Sequence, residues 1–381
     1  MPGFELIGKE EKEAVDEIFD KGGVLFRYGL DAKRENIFRV DNFEKEISQK
    51  LHIKYCHAVS SGTAALKLGL FALGVKPGDE VITQSHTFVA TVEAILELGA
   101  IPIITQVDKS LNMDPEDLEK KITGKTKVII PVHMAGVSAK MDEIMAIAQK
   151  YNIAVFEDAA QAIGATYKGK YLGTIGKAGI YSLDIGKAIT TGEGGLLVTN
   201  DEELYLKARQ YSDHGHEYNS ALPRGEDTRT FWGFNYKITE IQGALGLAQL
   251  KKLDYVLEKQ RENKKKIKDG ITGLRGIEFR ELPDKEGDAG DTLIFFLENE
   301  AQASQFAKLL KAEGLGTKNL PDAINWHFAG TWSHIFQDSS LWRKSEELLR
   351  RAIALPIMVK TDDEKIQEII RILRKIAEEL Y

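Results

Sequence analysis

From residue 57 onward, strand-like and helix-like segments alternate along the chain. The strand-like run HAVSSG at 57–62 precedes a helical pattern at 63–75, and the runs DEVITQS at 79–85 and AIPIITQVD at 100–108 flank a second helical pattern. These strands are apolar without a polar residue at every second position, which is typical of strands buried on both faces. The sequence therefore predicts an α/β fold with a largely parallel sheet covered by helices.

The alternating pattern ends near residue 250. Beyond residue 240 lies a long, charged helical stretch, followed by two short apolar runs and two helical patterns that suggest a small α+β unit. A chain of 381 residues exceeds the usual size of one compact domain. We expect a large α/β domain with an N-terminal arm over residues 1–250, and a connector helix with a small α+β domain over 251–381.

Charge and cysteine content limit the cellular setting and the partners. The net charge of -7 argues against a nucleic-acid partner. The single cysteine, Cys56, excludes a disulfide within the chain and fits a reducing compartment. The start of the sequence has no apolar signal core, and the apolar runs elsewhere are too short to span a bilayer. These features predict a cytoplasmic protein without a membrane partner.

Lys187 stands in SLDIGKAITTGEGG, directly after the strand-like run at 178–184. A lysine that forms a Schiff base with an aldehyde needs a site that disfavours its charge and fixes its approach to the carbonyl. A strand end followed by a glycine-rich turn provides a fixed approach. An ordinary surface lysine on such a turn is the alternative.

Asp158 ends the strand-like run that begins at residue 154, so a parallel sheet brings it to the same edge as Lys187. A carboxylate at the end of an apolar strand is costly unless it meets a cation. A protonated pyridine nitrogen is such a cation, and an acid paired with it increases electron withdrawal by pyridoxal phosphate. A turn or capping aspartate would explain the residue equally well.

Two further segments could complete a cofactor site. In SSGTAALKLGL, Ser60 to Thr63 precede a helix whose free N–H groups suit a phosphate, although an ordinary N-cap has the same residues. Phe88 begins the next connection from strand to helix and could stack on a planar ring or belong to the core. His214 and His216 have no cysteine or carboxylate pattern nearby, so no metal site is expected.

The segment NWHFAGTWSH places Trp326 and His327 close together in the sequence. This composition suits a pocket wall that binds polar rings, and it is equally compatible with a packed loop.

Four motifs, in chain order, resemble the sugar aminotransferases of the DegT/DnrJ/EryC1/StrS family: SSGTAAL, FEDAAQAIGA, YSLDIGKAITTGEGG and GFNYKITEIQGALGLAQL. The resemblance spans about residues 1–260. It implies the type I fold of enzymes that use pyridoxal 5'-phosphate, with a mostly parallel seven-stranded sheet flanked by helices and a small C-terminal α+β domain. It also implies a homodimer whose active sites are shared between the subunits.

Matching positions imply individual roles. Lys187 corresponds to the lysine of the internal aldimine, and Asp158 to the partner of the pyridine nitrogen. Gln161 corresponds to the residue beside the phenolic oxygen of the cofactor, and Phe88 to the ring that stacks on it. The implied phosphate contacts are Gly62, Thr63 and Ser182, with Asn235 supplied by the second subunit.

The chain departs from the commonest family pattern between Ser182 and Lys187, where Leu-Asp-Ile-Gly replaces a segment with His and Pro. The motifs MPGFELIG, FRYG, PVHMAG, YSDHGHEY and NWHFAGTW resemble transaminases of the family that make 8-amino-3,8-dideoxy-manno-octulosonate, a sugar of lipopolysaccharide, with glutamate as the amino donor. The candidate substrate contacts are Arg27, His216, Arg229, Trp326 and His327.

Other functions are compatible with parts of the pattern. A nucleotide-linked keto sugar is the alternative acceptor, and a regulator that binds the cofactor without catalysis is an alternative of another class. Sugar dehydratases of this family typically have histidine in place of the lysine, so Lys187 argues against that activity. A cysteine desulfurase needs a mobile nucleophilic cysteine, and an NAD-dependent oxidoreductase needs a GxGxxG after its first strand; neither is present.

Overall fold

The computed structural model describes residues 2–381, in which twelve strands form three sheets. In chain order the strands are β1 Tyr55–Val59, β2 Glu80–Gln84, β3 Ile101–Thr105, β4 Thr126–Ile129, β5 Ala154–Asp158, β6 Thr166–Tyr167, β7 Lys170–Tyr171, β8 Ala178–Ser182, β9 Gly195–Thr199, β10 Glu278–Phe279, β11 Thr292–Phe296 and β12 Ala352–Pro356.

The largest sheet has seven strands in the order β1-β9-β8-β5-β4-β2-β3. Strand β9 runs antiparallel to both of its neighbours, and every other pair in the sheet is parallel. The predicted α/β fold with a mostly parallel seven-stranded sheet is therefore confirmed. The three-stranded sheet β10-β11-β12 is antiparallel, and β6 and β7 form a separate hairpin.

The helices occupy the segments between these strands. They are α1 Pro2–Glu5, α2 Lys9–Asp20, α3 Arg39–Leu51, α4 Gly62–Ala72, α5 Ala90–Glu97, α6 Pro115–Lys121, α7 Met141–Tyr151, α8 Glu202–Tyr211, α9 Glu240–Leu250, α10 Leu253–Ile271, α11 Glu300–Ala312, α12 Ile324–His327, α13 Arg343–Arg350 and α14 Asp363–Leu380. Short 3₁₀ helices lie at Asp31–Arg34, Met134–Gly136, Arg224–Glu226, Ala329–Thr331 and Ser339–Trp342.

Both faces of the seven-stranded sheet are apolar, as continuous apolar strands require. Successive residues of one strand enter opposite cores: Val155 and Tyr181 pack on one face, whereas Phe156 and Ile180 pack on the other. Helix α4 lies close to the second face, because a Cβ on Gly69 would come within 2.1 Å of the Phe156 ring. This close packing fixes the first turn of α4 relative to the ends of β5 and β8.

The long charged helical stretch after residue 240 consists of two helices, α9 and α10, separated by Lys251 and Lys252. Helices α10, α11 and α14 share a hydrophobic core with the three-stranded sheet. The expected domain boundary at residue 250 falls at the end of α9. Among residues 2–381, no helix has the length and apolarity needed to cross a membrane.

Candidate active site

A cavity of about 450 Å³ opens at the C-terminal ends of β5 and β8, beside the N-terminus of α4. Its walls come from both parts of the chain, since residues 289–319 reach it from the region of the small sheet. Of the residues expected to act at one site, the following line it: Gly62, Thr63, Phe88, Asp158, Gln161, Ser182, Lys187 and His327.

The Lys187 amine lies in this cavity without a hydrogen-bond or ion-pair partner among the described residues. Burial lowers the pKa of the amine, and Lys318 lowers it further, whereas Asp184 and Asp158 raise it. The net shift is downward, so a larger fraction of Lys187 is uncharged near neutral pH than of an ordinary lysine. An uncharged amine is the form that attacks a carbonyl carbon.

Asp184 forms the turn between Ser182 and Lys187, where the commonest family pattern has His and Pro. Its backbone carbonyl accepts the Lys187 N–H at 3.0 Å, and its Oδ1 accepts the Gly186 N–H at 2.9 Å. Its own N–H donates to Ser182 Oγ at 3.3 Å. The aspartate thus closes a tight turn directly after β8 and holds the lysine backbone at the sheet edge.

Asp158 is only 4% exposed, and both of its carboxylate oxygens accept hydrogen bonds. Thr91 Oγ1 donates to Oδ2 at 2.7 Å, and the Ala160 N–H donates to Oδ1 at 3.1 Å. Burial raises the pKa of the carboxyl group, and the two hydrogen bonds, Lys187 and His133 lower it, with a net shift upward. The site therefore favours a cation facing this carboxylate.

The first turn of α4 supplies backbone N–H groups to the cavity. Ser61 caps the helix by accepting the Ala64 N–H at 3.0 Å, and the next two residues line the cavity. A Cβ on Gly62 would lie 3.1 Å from the Ser182 Cβ, and a Cβ on Gly195 would lie 2.2 Å from the Ser61 carbonyl. Glycine at these two positions therefore lets the first turn of α4 pack closely on the ends of β8 and β9, and the free N–H groups at the positive end of α4 suit an anion.

An aromatic wall closes the other side of the cavity. The Phe88 ring is 44% exposed and lies 5.4 Å from His327 and 6.4 Å from Trp326, nearly parallel to the latter. Trp326 is 61% exposed beside the cavity. Burial lowers the pKa of His327, and its Nδ1 lies 2.9 Å from the Ala323 carbonyl. The neutral ring must donate from Nδ1, which leaves Nε2 as an acceptor.

Gln161 is anchored by its Oε1, which accepts the Ala135 N–H at 2.8 Å. Its side-chain amide N–H₂ group is the remaining donor at this edge of the cavity.

Sequence reasoning missed a charged pair in the cavity wall. Lys318 donates to Asp291 Oδ2, and Thr292 Oγ1 donates to Oδ1 at 2.9 Å. Asp291 stands directly before β11. A carboxylate next to a buried strand was the sequence feature that could have identified it as a candidate site residue. Lys318 lies in a loop that has no periodic pattern, so only the folded chain reveals its position.

Arg27 does not line the cavity, and its expected role as a substrate contact is corrected. Its guanidinium is 2% exposed and donates to Glu44 Oε2 at 2.6 Å and to the Ala58 carbonyl at 3.2 Å. Burial is the largest influence and lowers the pKa of Arg27, but Glu44, Tyr28 and Asp41 together raise it above its ordinary value. Arg27 therefore stabilises the packing of α3 against β1.

We expect Glu44→Gln to lower the free energy of unfolding by about 3 kcal/mol, because it removes the main negative charge that offsets a buried guanidinium. Burial raises the pKa of Glu44, but Arg27 and His57 hold it at about 2, below its ordinary value. A carboxyl group whose pKa is lower in the folded state stabilises the fold at pH values above its unfolded-state pKa. This stabilisation is lost as the pH falls toward 2. Urea unfolding at fixed protein concentration measures both effects, with the exposed Glu46→Gln as control. Equal stability of the two variants would contradict the assignment.

Four other predicted residues are not among those that line the cavity: Trp326, His216, Arg229 and Asn235. His216 is buried, with Nδ1 3.1 Å from Asp227 Oδ2, whereas Arg229 is exposed. Neither contacts the cavity, so the structure does not support their assignment as substrate contacts within one chain. Asn235 is also exposed and outside the cavity.

The chemical groups that line the cavity fit pyridoxal phosphate. The cavity combines an unpartnered amine with a lowered pKa, a buried carboxylate, a helix N-terminus beside glycine and serine, and an exposed aromatic ring. Within residues 2–381, no group of three or more His, Cys, Asp or Glu side chains is placed to hold a metal ion. Fold and site together define the class of type I pyridoxal-phosphate enzymes.

Comparison with known proteins agrees with this class. Residues 7–374 match the DegT/DnrJ/EryC1/StrS aminotransferase family, and the chain belongs to it. It is 34% identical to the spore coat polysaccharide biosynthesis protein SpsC of Bacillus subtilis over 98% of this chain and 95% of that protein. It is 39% identical to the GDP-perosamine synthase of Escherichia coli O157:H7 over 71% of this chain and 70% of that enzyme.

The fold is similar to that of Helicobacter pylori PseC, an aminotransferase of pseudoaminic acid biosynthesis. The TM-score is 0.86 at 26% identity, over 98% of this chain and 97% of PseC. Matching structures include Spr1654 of Streptococcus pneumoniae in its PMP and PLP forms, with TM-scores of 0.85 and 0.83 at 25% identity. The protein is therefore a sugar aminotransferase that depends on pyridoxal phosphate and uses an amino donor and a keto sugar.

Proposed function

We propose that this enzyme moves an amino group from glutamate to 8-oxo-3-deoxy-manno-octulosonate, giving 8-amino-3,8-dideoxy-manno-octulosonate for lipopolysaccharide. The observation that supports amino transfer is the unpartnered Lys187 amine in one cavity with Asp158. When bound, pyridoxal phosphate supplies a carbonyl for amine exchange and an electron sink. The remaining chemistry consists of proton movements and binding by side chains of this chain.

Lys187 is the proposed base. Its lowered pKa and its position would suit an amine that takes the proton from the amine-bearing carbon of the donor and, in the second half of the exchange, gives a proton to the keto carbon of the acceptor. Asp158 is proposed to face the protonated ring nitrogen, whose charge offsets the cost of the buried carboxylate.

The other proposed cofactor contacts follow the walls of the cavity. The N–H groups of Gly62 and Thr63 and the Ser182 hydroxyl would bind the phosphate. Phe88 would stack on the ring. The Gln161 side-chain N–H₂ group would donate to the phenolic oxygen, because its Oε1 already accepts the Ala135 N–H. Trp326 and His327 are the proposed sugar contacts beside Phe88.

The choice of acceptor is supported by one cation in the cavity wall, Lys318. Among the described residues that line the cavity, Lys318 is the only cation besides Lys187. The Lys318 ammonium keeps two further N–H donors beside its bond to Asp291, which matches the one carboxylate of an octulosonate better than the two charges of a nucleotide diphosphate. The similarity to GDP-perosamine synthase favours the second candidate, a nucleotide-linked keto sugar.

A coupled assay that follows 2-oxoglutarate formed from glutamate separates the two acceptors. We expect kcat/KM for octulosonate oxidised at C8 to exceed that for GDP-linked keto sugars by about a hundred-fold or more. Lys318→Met should raise KM for the acid, with the exposed Lys311→Met as control. Activity confined to the nucleotide sugars would reject the octulosonate.

We further propose a homodimer in which Asn235 completes the site of the other subunit. The exposed position of Asn235, beside Trp232 and Phe234 at 69% and 40% exposure, supports this arrangement. Lys187→Ala and Asn235→Asp should each be nearly inactive. A mixed dimer of the two variants would have one intact site of two. Random mixing of equal amounts makes half of all dimers mixed, so about a quarter of all sites should be restored. No recovery in verified mixed dimers would contradict a shared site.

A further inference from the structure

Asp158 is held by a chain of hydroxyl groups that amino transfer itself does not use. Thr91, in the first turn of α5, is 1% exposed, and its Oγ1 lies 2.7 Å from Asp158 Oδ2. Thr87 Oγ1 lies 2.7 Å from Thr91 Oγ1 on the other side. The two hydroxyl groups form a hydrogen-bonded chain that ends at the carboxylate.

The direction of this chain follows from the number of protons. A carboxylate can only accept, so Thr91 must give its single hydroxyl proton to Asp158. Thr91 Oγ1 can then only accept from Thr87, whose proton is drawn away from the 3.3 Å contact with the Phe88 carbonyl. Two aligned hydroxyl dipoles therefore point their positive ends toward the carboxylate.

The physical need for these dipoles is clear from the surroundings of Asp158. Burial raises the pKa of this carboxyl group, and the Thr91 hydrogen bond is the strongest influence that opposes it, ahead of the Ala160 N–H. A carboxyl group that took up a proton could not offset the charge of a ring cation. Hydrogen bonds on both oxygens also prevent the group from rotating within the site.

We propose that Thr91, supported by Thr87, is a positioning residue that keeps the Asp158 carboxylate charged and aimed at the ring nitrogen of the cofactor. This inference rests on the proposed role of Asp158. It adds that the proton shared by carboxylate and ring resides on the ring nitrogen because Thr91 stabilises the ionised acid. Without Thr91, the pair keeps its proton, but the proton moves from the ring to the carboxyl group.

The test uses the holoenzyme loaded with cofactor that carries ¹⁵N in the ring. Thr91→Val removes the hydroxyl at nearly constant volume, and Thr91→Ser retains it. We expect the ¹⁵N shift of wild type and Thr91→Ser to be that of a protonated ring, and that of Thr91→Val to move toward the unprotonated value. The rate of the glutamate half-reaction in Thr91→Val should fall about ten- to a hundred-fold, as for the loss of one hydrogen bond to a charged group.

Thr87→Val provides a second variant if Thr91→Val folds poorly. Thr87→Val leaves the hydrogen bond from Thr91 to Asp158 and removes the hydroxyl that donates to Thr91. We therefore expect the ¹⁵N chemical shift to change in the same direction by a smaller amount. A protonated ring in wild type together with unchanged ¹⁵N shifts in both valine variants would overturn the role of Thr91 alone. An unprotonated ring in wild type, or no response to Asp158→Asn, would instead reject the proposed role of Asp158.

Discussion

Replacing Lys187 with alanine is expected to lower amino transfer by about a thousand-fold or more, because the change removes both the covalent anchor and the proposed base. No other described lysine is placed to substitute, since the Lys318 ammonium is already bound to Asp291. The stability of the fold should change little, because the Lys187 amine has no partner to lose within residues 2–381.

Two measurements on the same preparation test this expectation. Borohydride treatment followed by digestion should leave the cofactor attached to the peptide that contains residue 187 in wild type and to no peptide in the variant. Steady-state rates with glutamate give the loss of turnover. The matched control is Lys308→Ala on the exposed side of α11, which should behave as wild type. Full turnover by the Lys187 variant would refute the assignment.

The parts of the site that could be predicted share one origin. Parallel strands end at the same edge of a sheet, so the residues that follow β1, β5 and β8 had to meet once the strands were recognised. The helical pattern at 63–75 corresponds to α4, Gly62–Ala72, whose start is marked by the Ser61 cap. The sheet edge and the helices beside it were thus accessible from local patterns.

The parts that could not be predicted depend on contacts between distant segments. Arg27 has the residue type of an anion contact, and only the position of Glu44 on α3 turns it into a buried structural pair. Lys318 and Asp291 come from irregular segments whose meeting is set by the packing of the small sheet. Thr91 looks like an ordinary helical residue until its hydroxyl is found beside Asp158. Local pattern carries no information about such pairings.

Replacing Asp158 with asparagine is expected to lower turnover by about a hundred- to a thousand-fold, the size of effect seen when a preorganised charge is removed from an active site. An amide carries no charge to offset a protonated ring nitrogen. The N–H₂ group of the asparagine would also replace one of the two accepting oxygens. If it faced the Ala160 N–H, two donors would meet; otherwise it would face the Thr91 hydroxyl. Affinity for the cofactor should fall together with the rate.

Cofactor titration by absorbance and single-turnover rates with glutamate measure these two losses separately. Asp142→Asn is the matched control, because this aspartate is exposed and its Lys168 ion pair lies on the surface. If Asp158 faces the ring nitrogen, its variant should have a slower proton-transfer step even at saturating cofactor, which a loss of binding alone cannot produce. A rate that recovers fully when the cofactor is raised would mean that the carboxylate only helps to bind the ring.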